Sequence, residues 1–295
     1  MLLKSATPDS ERLIVALERI FEPTTAEQRE GEEEGRLKAK RVETEAKERL
    51  ERERQLPLER ATKEHPWVNS LGMKFVPVAG MGVLFSVWDT RVQDFEAFVA
   101  DTNYDATGGM YSLEKDGWKQ RGATWREPGF SQGPTHPVVG VNWNDANKFC
   151  EWLTRREQGS GMLPHGRVYR LPTDAEWSVG VGLQGEEGTN PKEKDRKIEL
   201  YPWGKEWPPP KGAGNYAGEE SKIGQEPSDW PVIEGYNDGY PRTSPVGRFM
   251  ANDTGLYDMG GNVWQWCEDW FDGSEIGDSC ASRRSLHASF GRASR

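Results

Sequence analysis

All 13 tryptophans and 31 of the 33 glycines of this 295-residue chain lie after residue 66, whereas residues 1–66 carry 14 basic and 16 acidic side chains. A stretch so charged and so poor in aromatic residues cannot bury enough surface to build a core. A stretch punctuated by glycine every few residues cannot sustain long helices. Two regions follow: a charged helical tail or linker over 1–66, and a folded body over 67–295, with the change near His65-Pro66.

In the first region Leu13, Leu17, Ile20 and Phe21 share one helical face, so residues 10–21 are expected to form a short amphipathic helix whose apolar side needs a partner. Residues 26–60 are dominated by Glu, Lys and Arg, with Glu43/Lys47, Glu45/Arg49 and Glu48/Arg52 at the i,i+4 spacing that supports a helix in water. Leu37, Val42, Ala46 and Leu50 make an irregular stripe rather than a heptad, which favours a solvated helical linker over a coiled coil.

The body reads as loop-rich α+β. Three helices are signalled by capping boxes, in which a short polar side chain and an acid or amide three residues on satisfy each other's free backbone N–H groups. They are Thr90 with Gln93, Asn142 with Asp145, and Thr173 with Glu176. The first helix is expected to turn Val92, Phe95, Phe98 and Val99 inward, and the second Ala146, Phe149, Cys150 and Leu153. Short strands are expected at Met73–Val78, Val83–Trp88 and Val168–Leu171.

Charge and length exclude several functions. A net charge of −10 and a pI near 5.1 repel phosphate backbones, so no nucleic-acid partner is expected. The longest uncharged run, Phe75 to Trp88, is broken by Pro77, Gly80 and Gly82 and falls short of the roughly 18 residues that span a bilayer. No membrane span is therefore expected. Asp9 and Glu11 interrupt the N-terminus before any signal-like apolar run, which points to the cytoplasm. Cys150, Cys267 and Cys280 have no short spacing, and four histidines are scattered, so neither a disulfide framework nor a zinc or histidine centre is expected.

The most unusual stretch is GLYDMGGNVWQWCEDW, Gly255 to Trp270. Its adjacent glycines let the backbone approach something closely. Exposed carbonyls, with Asp258 and Gln265, offer oxygen to a hard cation such as Ca²⁺. The competing reading is a tight turn feeding a buried, tryptophan-rich strand. Asn215-Tyr216 with Asn237-Asp238-Gly239-Tyr240 is a second oxygen-rich pair, and there the competing reading is an Asn-Asp-Gly hairpin. Cys150 and Cys267 read as packed thiols. Cys280 stands in polar text without a histidine patterned to activate it, and His136 before Pro137 reads as a turn residue. No Ser/His/Asp order, phosphate loop or paired-carboxylate motif stands out.

The blocks NSLGMKFVPV, THPVVGVNWNDANKFCEWL, YRLPTDAEW, YPWG, SPVGRF and GLYDMGGNVWQWCEDW, in that order over 69–270, resemble the formylglycine-generating enzyme family, also called sulfatase-modifying factors. The resemblance implies a C-type-lectin-like fold and two structural calcium ions. One would be held by the Asn215 side chain, the Tyr216 carbonyl, the Asp238 side chain and the Tyr240 carbonyl. The other would be held by Asp258, the carbonyls of Gly261 and Val263, and Gln265, where the family commonly has Asn and Glu at the two side-chain positions. Catalytic members oxidise a sulfatase cysteine to formylglycine on Cu(I) held by two nearby cysteines, after an Arg-Gly-Gly-Ser-Trp-like strand. Neither strand nor cysteine pair is found here, so copper is not expected. The tail 271–295 is atypical, and the closing core strands of the family fold are expected to be missing. Iron-dependent sulfoxide synthases of the same family draw histidines from an added helical domain, whereas residues 1–66 offer only His65. The resemblance thus implies a non-catalytic binding or interaction module taking a protein or peptide ligand. The alternative is a copper-dependent oxidase whose catalytic C-terminus has been lost by truncation or frameshift.

Overall fold

The computed structural model describes residues 33–38, 40–42, 44, 57–108, 110–114, 117–121, 124–183, 201–223, 231–269 and 285–286. The chain divides into two units, 1–55 and 56–295. In the first unit, the described residues between 33 and 44 are helical and exposed, Leu37 and Val42 included. The expected amphipathic helix at 10–21 lies outside the described residues.

The second unit mixes short strands and helices. β1 (Trp67–Val68), β2 (Lys74–Pro77) and β3 (Leu84–Ser86) form an antiparallel sheet in that order, with Trp67 opposite Phe75 and Phe75 opposite Ser86. Successive side chains of a strand point to opposite faces. Phe75 and Val76 are both buried, so this small sheet is covered on both sides and separates two cores.

On the Phe75 side lie α1 (Val92–Thr102) and α2 (Trp143–Gly159), which bury Phe95, Phe98, Phe149, Trp152 and Leu153 around Trp125. Several of the rings meet edge to face, as their quadrupoles favour: Phe95 and Trp125 are 5.1 Å apart at 77°. On the Val76 side lie α3 (Asp174–Val181), contributing Trp177 and Val181, and the loop residues Leu256, Met259 and Cys267. A third cluster, Tyr216 with Ile233 and Tyr236, forms among loops.

α2 and α3 begin as their sequences require. The Asn142 side chain accepts the Asp145 N–H and the Thr173 side chain accepts the Glu176 N–H, each answered by the acid bonding back. The first expected cap is displaced by one residue. The Thr90 carbonyl accepts the N–H of Val138, and Arg91 bridges to Pro137, so Arg91 is held extended and α1 starts after it. Asp94, not Gln93, takes the Arg91 N–H at 3.0 Å and the Arg91 guanidinium at 2.9 and 2.8 Å.

The strand expected at Val168–Leu171 does not form. The Tyr169 N–H goes to the Thr154 hydroxyl on α2 at 2.9 Å rather than to a neighbouring strand, and Val168 is 62% exposed. Two strand pairs escaped sequence reading. β4 (Met110–Glu114) pairs with β5 (Gly117–Arg121), and β6 (Gln265–Trp266) pairs with β7 (Ser285–Leu286). No helix among the described residues is long and apolar enough to cross a membrane.

Candidate functional site

The Gly260-Gly261 pair organises the candidate site. A Cβ on Gly260 would collide with the Pro202 ring, and one on Gly261 would collide with the Asn215 carbonyl oxygen and lie 2.8 Å from the Tyr216 ring. The next residue closes the joint: the Asn262 N–H donates to the same Asn215 oxygen at 3.0 Å. The glycines therefore do what the sequence suggested, letting backbone meet backbone. What they meet is the segment holding the first set of candidate ligands.

That first set is brought together. Asn215 and Tyr216 are buried, at 7% and 6% exposure. Asp238 reaches both neighbouring segments, its Oδ2 accepting the Tyr216 N–H at 2.8 Å and its Oδ1 the Tyr240 N–H at 2.9 Å. The Asn215 Nδ2 donates to the Tyr240 carbonyl at 3.1 Å, and the Tyr216 carbonyl accepts the Gly218 N–H at 2.7 Å. The hairpin reading of Asn237–Tyr240 is not met. No strand flanks the turn, because the Tyr216 and Tyr240 N–H groups bond to the Asp238 carboxylate instead of to backbone carbonyls.

Burial pushes the Asp238 carboxyl up to about 6, with the Glu220 carboxylate adding to the rise and the two backbone bonds opposing it. Glu220 is itself 5% exposed. Its Oε1 accepts the Gly218 N–H at 3.2 Å, while its Oε2 is out of solvent contact with no hydrogen-bond partner. The sequence reading missed Glu220, although an acid four residues beyond Tyr216 in oxygen-rich text was a usable signal.

The second set is brought together in part. Asp258 sits in the left-handed region at φ 59°, where Oδ2 accepts the Gly247 N–H at 2.9 Å. Its Oδ1 is buried without a partner, and burial raises its carboxyl. The Gly261 carbonyl accepts the Val263 N–H at 2.8 Å. Gln265 is turned away from the ligand role expected of it. Its Oε1 accepts the Trp177 indole N–H at 2.6 Å, and its Nε2 donates to the Asp258 carbonyl at 3.1 Å. The Asp89 carboxyl, also unforeseen, is raised by burial first and by the charge of Asp258 second.

Among the described residues, no three His, Cys, Asp or Glu side chains converge. Any cation held here would be held by carboxylate, amide and carbonyl oxygens together, a donor set suited to a hard ion. The described thiols do not suit a soft one. Cys150 and Cys267 are free, and burial pushes each up to about 12, which keeps them protonated at neutral pH. Cys280 lies outside the described residues. His136 occupies a bend, with Nδ1 2.9 Å from the Thr243 hydroxyl.

The chain is 34% identical over 157 residues to a formylglycine-generating enzyme of Thermomonospora curvata, covering 51% of this chain and 40% of that one. It is 30% identical over 161 residues to an inactive C-alpha-formylglycine-generating enzyme 2 of Bos taurus, covering 52% and 41%. Among solved structures it is similar to PvdO from Pseudomonas aeruginosa, with a TM-score of 0.41 and 23% identity over 72% of this chain and 64% of that one. The match thus spans about two fifths of the length of these two curated relatives. The sulfatase-modifying factor enzyme 1-like domain matches residues 85–288, more than half of the chain, and the protein belongs to that family, the formylglycine-generating enzyme or sulfatase-modifying factor family.

Proposed function

We propose that this chain is a calcium-stabilised, non-catalytic member of its family that acts as a binding or interaction module for a protein or peptide. The observation that carries the non-catalytic reading is the state of the thiols. Copper(I) chemistry of the family's kind needs two thiolates side by side, whereas Cys150 and Cys267 pack into apolar surroundings that favour the neutral thiol. The described residues do not fit copper. Similarity to a relative named as inactive supports the same reading. The C-type-lectin-like architecture, with a charged tail ahead of the folded body, belongs to this proposal too.

Calcium fits the first candidate site. Asn215, Asp238 and the Tyr216 and Tyr240 carbonyls surround it, the Glu220 oxygen nearby lacks a partner, and burial raises the Asp238 carboxyl, which favours a counter-charge. The ion would hold these loops together where no regular sheet does.

Incubation of the chain with copper, dioxygen and a Cys-x-Pro-x-Arg peptide tests the catalytic half, the expected outcome being no aldehyde. Aldehyde formation would overturn it in favour of the second reading, a formylglycine-generating oxidase, which the similarity to the Thermomonospora curvata enzyme favours. Calcium is tested by melting. Because an ion bound only by the folded chain stabilises it by about 2.7 kcal/mol at one hundred times its dissociation constant, Tm rises on addition, and rises less in Asp238→Ala. An unchanged Tm for both proteins at millimolar calcium would remove the calcium reading.

A further inference from the structure

β3 is the last strand of its sheet, and its far edge is open. The Val87 N–H donates to the Lys74 carbonyl at 2.8 Å and the Val78 N–H to the Val83 carbonyl, so residues 83, 85 and 87 are the ones that bond toward β2. Alternation then turns the N–H and carbonyl groups of Leu84 and Ser86 away from β2, and no hydrogen bond among the described residues reaches them. Proteins usually blunt such an edge with lysine, proline or a bulge, and Leu84-Phe85-Ser86 has none of these. The strand instead borders an apolar cavity of about 1530 Å³, whose wall includes Val168 and Trp264, 62% and 60% exposed. Trp88, just past the strand, lines the same cavity, and its indole N–H is out of solvent contact without an acceptor.

We propose that an extended, apolar peptide segment of a partner protein docks in this cavity as an added strand, bonding to Leu84 and Ser86 along the edge of β3. The unanswered groups choose the occupant. A lipid or other hydrocarbon would cover the apolar wall but leave the edge N–H and carbonyl groups and the Trp88 indole unpaired, at a cost for each. Peptide backbone carries one donor and one acceptor per residue, which is what an open strand edge takes. The side chains follow from the sheet. Leu84 packs against the first core and Phe85 against the second, so an added strand would meet apolar surface on both of its faces and needs apolar or β-branched residues in succession. The proposal rests on the binding-module reading above and gives that module its docking edge.

Amide hydrogen exchange of the full chain, resolved by residue, tests it with the end-capped peptide Lys-Val-Val-Thr-Val-Lys. At millimolar peptide the Leu84 and Ser86 amides should exchange at least tenfold more slowly, while that of Phe85, already bonded to β2, should change little. The same peptide N-methylated at alternate residues keeps its apolar side chains but loses donors, and should bind at least fivefold more weakly. Ser86→Pro removes an outward N–H and no bond to β2, and should weaken the parent peptide to a similar degree. Ser86→Ala, which loses only the hydroxyl bond to the Trp88 carbonyl, should bind as wild type does. If Ser86→Pro fails to fold, the methylated peptide on the wild type still decides. Equal affinity for the two peptides would overturn the added strand in favour of simple cavity filling. Slow exchange of Leu84 and Ser86 before peptide is added would overturn it as well, since the chain itself would then hold the edge. So would no protection at any amide. Protection confined to other amides would overturn the β3 site while leaving the binding-module reading standing, and aldehyde formation in the copper assay would overturn that reading without touching the edge.

Discussion

The α-carbon of Gly261 rests against the carbonyl oxygen of Asn215, and no side chain larger than hydrogen fits between them. This contact joins the two candidate calcium sites, because Asn215 turns its side chain toward one and its carbonyl toward the other. Gly261→Ala is expected to cost about 1–3 kcal/mol, as overpacking does, and to reduce the calcium-induced rise in Tm at both sites. Gly133→Ala is the control. Its added methyl meets nothing closer than the His136 ring at 3.6 Å and should leave Tm unchanged. A Gly261→Ala protein with wild-type Tm would show that the joint is not tight.

Glu157 is fully buried, and its carboxylate accepts the Ser70 N–H at 2.9 Å, the Ser70 hydroxyl at 2.6 Å and the Tyr169 hydroxyl. Glu157→Ala leaves these donors without an acceptor and should destabilise the domain by about 3 kcal/mol or more. Tyr169→Phe removes one bond from the same network and should cost about 1 kcal/mol. Urea unfolding monitored by tryptophan fluorescence measures both, and equal losses would contradict the network.

Arg170 holds the Glu176 carboxylate at 2.7 and 2.6 Å, and Glu176 also takes the Thr173 N–H at 2.8 Å. The Arg170 bond, ahead of the capping bond, keeps this carboxyl below the usual glutamate value. A carboxyl depressed in the folded state stabilises the fold above its unfolded pKa and loses that contribution as pH falls through the folded one. Glu176→Gln should therefore cost about 1–2 kcal/mol at neutral pH, with the difference closing in acid below the unperturbed value of 4.5. A gap that stays constant from neutral to acid pH would show that the pair contributes nothing through charge.

The two described thiols should resist modification. Cys150, on α2, packs against the core and Cys267 is 3% exposed, so at about pH 8 neither is expected to react with a thiol reagent until the chain is unfolded. Mass mapping after labelling identifies which cysteine reacts. Rapid labelling of either in the native protein would contradict its placement.

What could be read in advance was local chemistry. The Asn142 and Thr173 caps depend on side chains three residues apart, and the inward turn of Phe95, Phe98, Phe149 and Leu153 depends on helical period alone. The start of α1 was misplaced because Thr90 is held by Val138, a partner that local spacing does not reveal. The β4–β5 pair carried a signal in the sequence that went unused, the dipeptide Asp116-Gly117 between two polar, aromatic runs. At the candidate site, Asn215, Tyr216, Asp238 and Tyr240 stand as a set because the family resemblance groups them, although they lie more than twenty residues apart in the chain. Asp89 was out of reach, since only the tertiary fold brings it under the charge of Asp258. The orientation of Gln265 is decided by Trp177, another element altogether.

Asp238 is one of several side chains that pin irregular backbone here. Asn69 accepts the N–H groups of Leu71 and Met73, and Asn252 accepts those of Thr254 and Leu256. Each does for a loop what a neighbouring strand does in a sheet, and each does it alone. Tolerance to mutation should consequently run opposite to the usual pattern: the outer faces of the helices can drift, while single asparagines and aspartates in segments that resemble spare connectors cannot be exchanged.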